Sequence, residues 1–170
     1  MSLPAVEPLI EKLTQALIPY FSSSKPHPII VGIGTGGVWI AEHLHQRLKP
    51  DTELGRLNIS FYRDDFTRIG LHPAVSPSSL PVDIDDRVVI LVDDVLHTGR
   101  TVRAAMNEIF DYGRPKQILL AILIDRGDRE IPIQADFIGA AMTLEKTNHV
   151  KLEGPEDLSL SIKVLDHHAG

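Results

Sequence analysis

From Val88 to Val92 the chain reads Val-Val-Ile-Leu-Val, and the next two residues are Asp93 and Asp94. An unbroken apolar run of this length is the pattern of a strand buried on both faces, as in a parallel sheet covered by helices. Similar runs recur at His27–Ile33 and Gln117–Ile124, with shorter candidates at Leu57–Tyr62 and Ala135–Gly139. Helical stripes lie among them. Val6, Leu9, Ile10, Leu13 and Leu17 fall at three- and four-residue spacing over residues 5–18, which predicts a helix ending before Pro19. Residues 37–48 predict a second helix packing Val38, Ile40, Ala41, Leu44 and Leu48. Residues 100–113 predict a third with Val102, Met106 and Ile109 inward, stopped by Gly113 and Pro115. Strands alternating with amphipathic helices imply an α/β fold with a central parallel sheet, and ligands in such sheets bind beyond the carboxyl ends of the strands.

Two stretches stand apart from that alternation. Residues 63–86, rich in Pro, Ser and Asp, read as a long surface excursion of the kind that often serves as a lid. Residues 158–164, Leu-Ser-Leu-Ser-Ile-Lys-Val, alternate apolar and polar, which predicts a half-exposed strand outside the central sheet. A length of 170 residues suits one domain spanning 1–170. With 43% hydrophobic residues and no apolar run near the ~20 needed to cross a bilayer, the chain has the pattern of a soluble protein. Its N-terminus lacks a signal-peptide pattern, so a cytoplasmic location is expected. There is no cysteine, which excludes disulfides and thiolate metal sites, and a net charge of −6 argues against broad, sequence-independent nucleic-acid binding.

After Asp93 and Asp94 come Val95, Leu96 and His97, then Thr98-Gly99-Arg100-Thr101 where the third helix must start. A helix N-terminus presents unpaired N–H groups and a positive dipole end, so a glycine-containing turn there suits a phosphate, with Thr98 and Thr101 adding hydroxyls. Adjacent carboxylates repel phosphate but accept from sugar hydroxyls, and they help hold Mg2+. The two halves together suit a phosphorylated sugar. The plainer alternative is a strand end followed by a capped helix. A phosphoacceptor site built on clustered acids is the other, and it leaves the threonine-rich turn without a task. A further glycine loop, Gly32-Ile33-Gly34-Thr35-Gly36-Gly37, formally satisfies the dinucleotide fingerprint. The acidic residue expected about 20 positions on, at the end of the next strand, is misplaced, because Asp51 and Glu53 precede that strand. Its amides remain suited to an anion.

The stretch Val89–Thr101 resembles the phosphoribosyl pyrophosphate (PRPP) motif of type I phosphoribosyltransferases. Together with the glycine loop, Ser60–Phe66, Leu80–Pro115 and Asp125–Gly139, it is similar to the PyrR proteins, pyrimidine-operon attenuation regulators that also act as uracil phosphoribosyltransferases. The resemblance implies the type I fold, with a small hood from the chain ends and a flexible active-site loop. It also implies transfer of ribose 5-phosphate from PRPP to uracil, giving UMP and pyrophosphate with Mg2+. In site terms it places PRPP against Thr35, Gly36, Gly37, Arg63, Asp64, Asp65, Asp93, Asp94, Val95, Leu96, His97, Thr98, Gly99, Arg100 and Thr101. Asp93, Asp94 and Arg63 would act in catalysis, and Asp64, Asp93 and Asp94 are the acids for Mg2+. Asp125, Arg126 and Gly127 would face uracil. His97 reads either as a loop spacer or as an acceptor for the uracil proton. Gly34 and Gly36 stand where typical members carry basic residues, which leaves Thr35 and backbone N–H groups as donors. Candidate contacts to a pyrimidine-operon leader RNA are Arg126, Arg129, Lys146 and Lys151, while Asp128 and Gln134 replace residues that are usually basic. The enzyme reading ranks above the alternatives of a non-catalytic RNA-binding nucleotide sensor and a transferase for another base. A homodimer or larger homo-oligomer is expected.

Overall fold

The computed structural model describes residues 2–23, 25–59, 78–80 and 83–165. Helix α1 spans Val6–Phe21, strand β1 Ile29–Ile33, helix α2 Gly36–Leu48 and strand β2 Gly55–Leu57. Strand β3 spans Val88–Leu96, helix α3 Arg100–Tyr112, strand β4 Gln117–Asp125 and strand β5 Phe137–Ala141. Strands β6, Asn148–Glu153, and β7, Ser159–Val164, close the described chain.

Among the described residues β1 to β5 form one parallel sheet in the order β2-β1-β3-β4-β5. Successive side chains of a strand point to opposite faces, and that period sorts the core into two layers. Ile30, Ile90, Val92, Ala121 and Leu123 meet α1 and α2 on one face. Ile29, Val31, Val89, Leu91, Leu120 and Ile122 meet Val102, Ala105 and Ile109 of α3 on the other. The apolar runs are therefore covered on both sides, which is why they carry no alternation. Strands β6 and β7 pair antiparallel in a separate two-stranded sheet, and there the expected alternation appears, with Val150 facing Ile162 and Leu152 facing Leu160 toward the first layer.

Several boundaries differ from expectation. Helix α1 runs through Pro19 to Phe21. Pro19 has no N–H to donate to the Gln15 carbonyl, so the helix gives up one bond near its end, but the fixed φ of proline is helical and the Ser22 N–H still reaches the Ile18 carbonyl at 3.0 Å. Strand β2 begins at Gly55, in register with Val31, so its overlap with the expected 57–62 strand is Leu57 alone, and residues 60–62 lie outside the described chain. Val38 is only half-buried and borders a cleft instead of the core. Met106 is likewise half-buried, at the margin of the second layer, while Ala105 is fully buried. No helix among the described residues is long and apolar enough to cross a membrane.

The largest difference concerns β3. Its acids do not follow the strand but lie within it, Asp93 opposite Ile122 and Val95 opposite Ile124 of β4. On its other edge β3 loses its partner at Val92, which pairs with Gly32. The sheet thus frees one side of β3 where the carboxylates begin.

Candidate active site

An open cleft of about 1230 Å3 lies at the carboxyl ends of β1, β3 and β4. Its walls take Gly34, Thr35 and Gly36 from the loop after β1, Asp93, Asp94, Val95 and His97 from β3 and its turn, and Thr101 from the start of α3. Arg126 enters from the end of β4, and His149, Val150 and Pro155 from the small sheet.

The approach of the glycine loop to the acids depends on missing side chains. A Cβ on Gly37 would stand 2.7 Å from the Val92 carbonyl oxygen and 3.0 Å from Asp93 Cα, so α2 packs here backbone to backbone on β3. The space a side chain at Gly36 would need holds the Asp94 carboxylate. Loop and acid pair consequently share one site. Asp93 is buried, 5% exposed, and its Oδ1 accepts the Asp94 N–H at 2.9 Å. Asp94 Oδ1 accepts the N–H of Val95 at 2.8 Å. The carboxylate of Asp94 is the more open of the two.

The turn at 98–101 is braced from outside the cleft. Gly99 holds φ of +93°, a left-handed conformation that suits glycine, and the Arg100 N–H bonds Thr98 Oγ1 at 3.2 Å. The Thr98 carbonyl accepts from Glu130 N–H at 2.9 Å and Ile131 N–H at 3.3 Å, and the Arg100 Nε donates to Glu130 Oε1 at 2.9 Å. Arg129 completes the brace. Its Nη1 donates to the His97 carbonyl at 3.0 Å, its Nε to the Ile133 carbonyl at 2.7 Å, and its Nη2 to Asp125 Oδ2 at 2.8 Å. Asp125 Oδ1 accepts the Gly127 N–H at 3.0 Å. Burial works against the Asp125 charge, but the Arg129 hydrogen bond, the Gly127 N–H and the nearby guanidinium together hold its carboxyl below the ordinary value.

These contacts redistribute the expected residues. Thr35, Gly36, Asp93, Asp94, Val95, His97, Thr101 and Arg126 border the cleft. Gly37, Leu96, Thr98, Gly99, Arg100, Asp125 and Gly127 support its walls instead. Arg63, Asp64 and Asp65 lie outside the described residues. Of the candidate RNA contacts, Lys146 and Lys151 are exposed, Arg126 is buried at 4% exposure, and the Arg129 guanidinium is turned inward. Lys12, the cation of α1, donates to the Gly139 carbonyl at 3.1 Å. Sequence reasoning missed Arg56 and Glu42, paired at 2.9 Å on the wall below the glycine loop, and His149. Only β2 pairing and the placement of the small sheet bring them in. The rings of His97 and His149 meet edge to face, with centroids 6.4 Å apart. Burial lowers the His97 pKa below its ordinary value, and the positive charge of Arg126 and the His149 ring reinforce the shift, against weaker opposition from Asp128 and Glu130. The shift favours the neutral ring of His97.

The phosphoribosyl transferase domain model matches residues 2–157. The chain belongs to the phosphoribosyltransferase family. Within that family it is 57% identical over 141 residues to the bifunctional protein PyrR of Nitrosococcus oceani, covering 82% of this chain and 80% of that one. It is 48% identical over 166 residues to the bifunctional protein PyrR of Pseudomonas aeruginosa, covering 97% and 98%. A hypoxanthine-guanine phosphoribosyltransferase of Bacillus anthracis shares the fold at a TM-score of 0.64 with 21% identity, over 84% of this chain and 81% of that one. A purine phosphoribosyltransferase of Pyrococcus horikoshii aligns at 0.61 with 27% identity, over 81% and 83%. In this chain the acid pair and the glycine loop line one cleft.

Proposed function

We propose that this phosphoribosyltransferase transfers ribose 5-phosphate from PRPP to uracil, releasing pyrophosphate and forming UMP, as a PyrR-type enzyme. The observation that carries the reading is the acid pair Asp93–Asp94 lying in one cleft with the glycine loop and with Thr101, the residue of the 98–101 turn that borders it. The order of parts along the sheet edge matches the order of parts in the substrate: pyrophosphate at the amides after β1, ribose hydroxyls at the carboxylates of β3, and 5′-phosphate at the start of α3. Breaking the bond from C1′ to the pyrophosphate oxygen leaves positive charge on the ribose ring. Catalysis then rests on positioning and electrostatics, with Asp93 and Asp94 orienting the sugar while the N1 atom of uracil bonds to C1′ and gives up its proton. In this proposal His97 is either a spacer in the loop or the acceptor of that proton, the latter helped by the shift toward its neutral form.

The donor set fits Mg2+ bound largely through the substrate. No cluster of three or more acidic or histidine side chains among the described residues makes a cage of its own, whereas Mg2+ commonly takes one or two carboxylates plus substrate oxygens. Asp94, with Asp93 beneath it, would supply the protein ligand, and the ion when bound neutralises charge on the departing pyrophosphate. A homodimer or larger assembly belongs to this proposal. So does a cytoplasmic location.

The second reading is a UMP-responsive regulator acting through leader RNA. It is favoured by the PyrR relatives, which are named bifunctional proteins, and weakened by the inward Arg129 and the tethered Lys12. Purified protein with PRPP and Mg2+ should release pyrophosphate with uracil and not with hypoxanthine or guanine. Release with none of the bases, together with tight, salt-dependent binding to the leader RNA, would replace the enzyme reading with the regulator.

A further inference from the structure

The backbone of the glycine loop leaves no room for a cation. Gly34 holds φ of +58°, a left-handed conformation that disfavours any side chain. A Cβ on Gly36 would overlap the Asp94 carboxylate, and Gly37 lies backbone to backbone against β3. Only N–H groups and the Thr35 hydroxyl remain as donors. The packing that brings Asp94 to Gly36 also sets a negative charge beside the place of an anion, and like charges repel. Positive charge for a pyrophosphate held at this loop has to come from a neighbouring element.

Two arginines line the cleft among the described residues, Arg56 and Arg126, and the order of strands separates them. Strand β2 is the neighbour of β1, which leads into the loop, whereas Arg126 follows β4 on the far side of β3. Arg56 stands in register with Gly32, and the Gly34 N–H bonds the Leu57 carbonyl at 2.8 Å, so β2 is tied to the start of the loop. Strand spacing puts the Arg56 backbone about 8 Å from Gly34, close to the length of an extended arginine side chain. Gly55 and Leu57 on either side are buried, which turns Arg56 to the opposite face, toward α2. There its Nη1 donates to Glu42 Oε1 at 2.9 Å, and both side chains are half exposed. An exposed ion pair of this kind is weak, so a more highly charged partner displaces Glu42 readily.

We propose that Arg56 exchanges Glu42 for the pyrophosphate of PRPP when substrate binds, and so supplies from β2 the positive charge that the glycine loop cannot carry. This role rests on the phosphoribosyl-transfer reading and deepens it. A guanidinium offers parallel N–H donors to phosphate oxygens and keeps its charge at any working pH. Its pull grows as the bond from C1′ to oxygen breaks and negative charge collects on the departing group, so the contact is stronger in the transition state than in the bound substrate. Glu42 holds the guanidinium at the cleft wall beforehand and competes with the substrate for it.

The test titrates the parent, Arg56→Met, Glu42→Gln and the double variant with pyrophosphate and with UMP in Mg2+ buffer, by isothermal titration calorimetry, which needs no turnover. Arg56→Met should weaken pyrophosphate binding by roughly tenfold or more, the worth of a charge-assisted hydrogen bond, and change UMP binding by less than about twofold. UMP has no pyrophosphate group, so its steady affinity shows that the rest of the cleft is intact in the same variant. Glu42→Gln should tighten pyrophosphate binding by about two- to fivefold, the range of an exposed ion pair, and most of that gain should vanish in the double variant. KM for PRPP should follow the pyrophosphate affinities. A parent that binds no pyrophosphate, equal pyrophosphate binding by parent and Arg56→Met, UMP weakened as much as pyrophosphate, or the same gain from Glu42→Gln without Arg56 would overturn the assignment. A parent that consumes no base while Arg56→Met still loses pyrophosphate sinks the transfer reading; an active parent with an indifferent Arg56→Met sinks only this role.

Discussion

The contact between Gly37 and β3 sets where the glycine loop sits, and adding one methyl group there tests how much that placement matters. In Gly37→Ala the new Cβ meets the Val92 carbonyl oxygen at 2.7 Å, Asp93 Cα at 3.0 Å and Asp93 Oδ1 at 3.1 Å. A carbon and a carbonyl oxygen pack no closer than about 3.3 Å, so α2 must retreat from β3 by about 0.6 Å. Backbone lies on both sides, and neither part can yield by rotating a side chain. Overpacking of this kind costs about 1–3 kcal/mol, which in urea, at a slope of about 2 kcal/mol per molar, lowers the unfolding midpoint by about 0.5–1.5 M. The retreat also carries Thr35 and Gly36 away from Asp94. A misplacement near 1 Å can cost about a hundredfold in rate, so kcat/KM for PRPP should fall by about tenfold in this folded variant. Urea titration followed by circular dichroism reads the first effect, and pyrophosphate release at varied PRPP the second. A midpoint within about 0.2 M of the parent together with kcat/KM within about twofold, both well inside those expected shifts, would refute the reasoning that this close approach positions the loop.

Other consequences follow from the groups around the cleft. His97, faced by Arg126, His149, Asp128 and Glu130, has a lowered pKa, so the folded state resists its protonation. Its contribution to stability is complete above about pH 6.5, the unfolded value, and is lost as pH falls through the lower folded value; His97→Asn should flatten that stretch of the stability–pH curve. If His97 accepts the uracil proton, the acidic limb of the kcat profile lies below about pH 6.5 in the parent and disappears in His97→Ala, and an unchanged profile removes it from the chemistry. Asp125 has the opposite sign of charge and a lowered pKa, so its stabilisation is present above the ordinary carboxylate value and lost as pH falls through the depressed one. Arg129→Met, which empties three contacts behind the 98–101 turn, should destabilise the fold by about 1–3 kcal/mol in thermal denaturation and remove most of that acid dependence. An unaltered melting curve would return Arg129 to the surface. Arg56 lines the cleft in its exposed pair with Glu42, and on the proposed reading it would serve pyrophosphate in place of the cations that Gly34 and Gly36 lack. Arg56→Ala should raise KM for PRPP and leave KM for uracil alone, and Glu42→Gln should lower it.

What the sequence determined by itself was whatever depends on neighbours along the chain. A run such as Val88–Val92 declares a strand covered on both faces, the spacing of Val6 to Leu17 declares the buried stripe of α1, and Gly99 between two threonines declares a turn at a helix start. The acid pair, the glycine loop and the order of the motifs were legible for the same reason, because backbone propensity and burial pattern are local. Tertiary structure decided what faces what. The same local pattern of Asp-Arg-Gly-Asp-Arg places Arg126 against the cleft with an open edge and Arg129 behind it with every branch engaged. No spacing rule separates two arginines three positions apart in a loop. The carbonyls they reach belong to Asn148, His97 and Ile133, and those positions are set by how β6 and α3 pack on the sheet. His149 and Arg56 came into view in the same way. Each lies on a short, half-exposed strand that carries little local signal, and each borders the cleft because strand pairing and hydrophobic packing carry its backbone there.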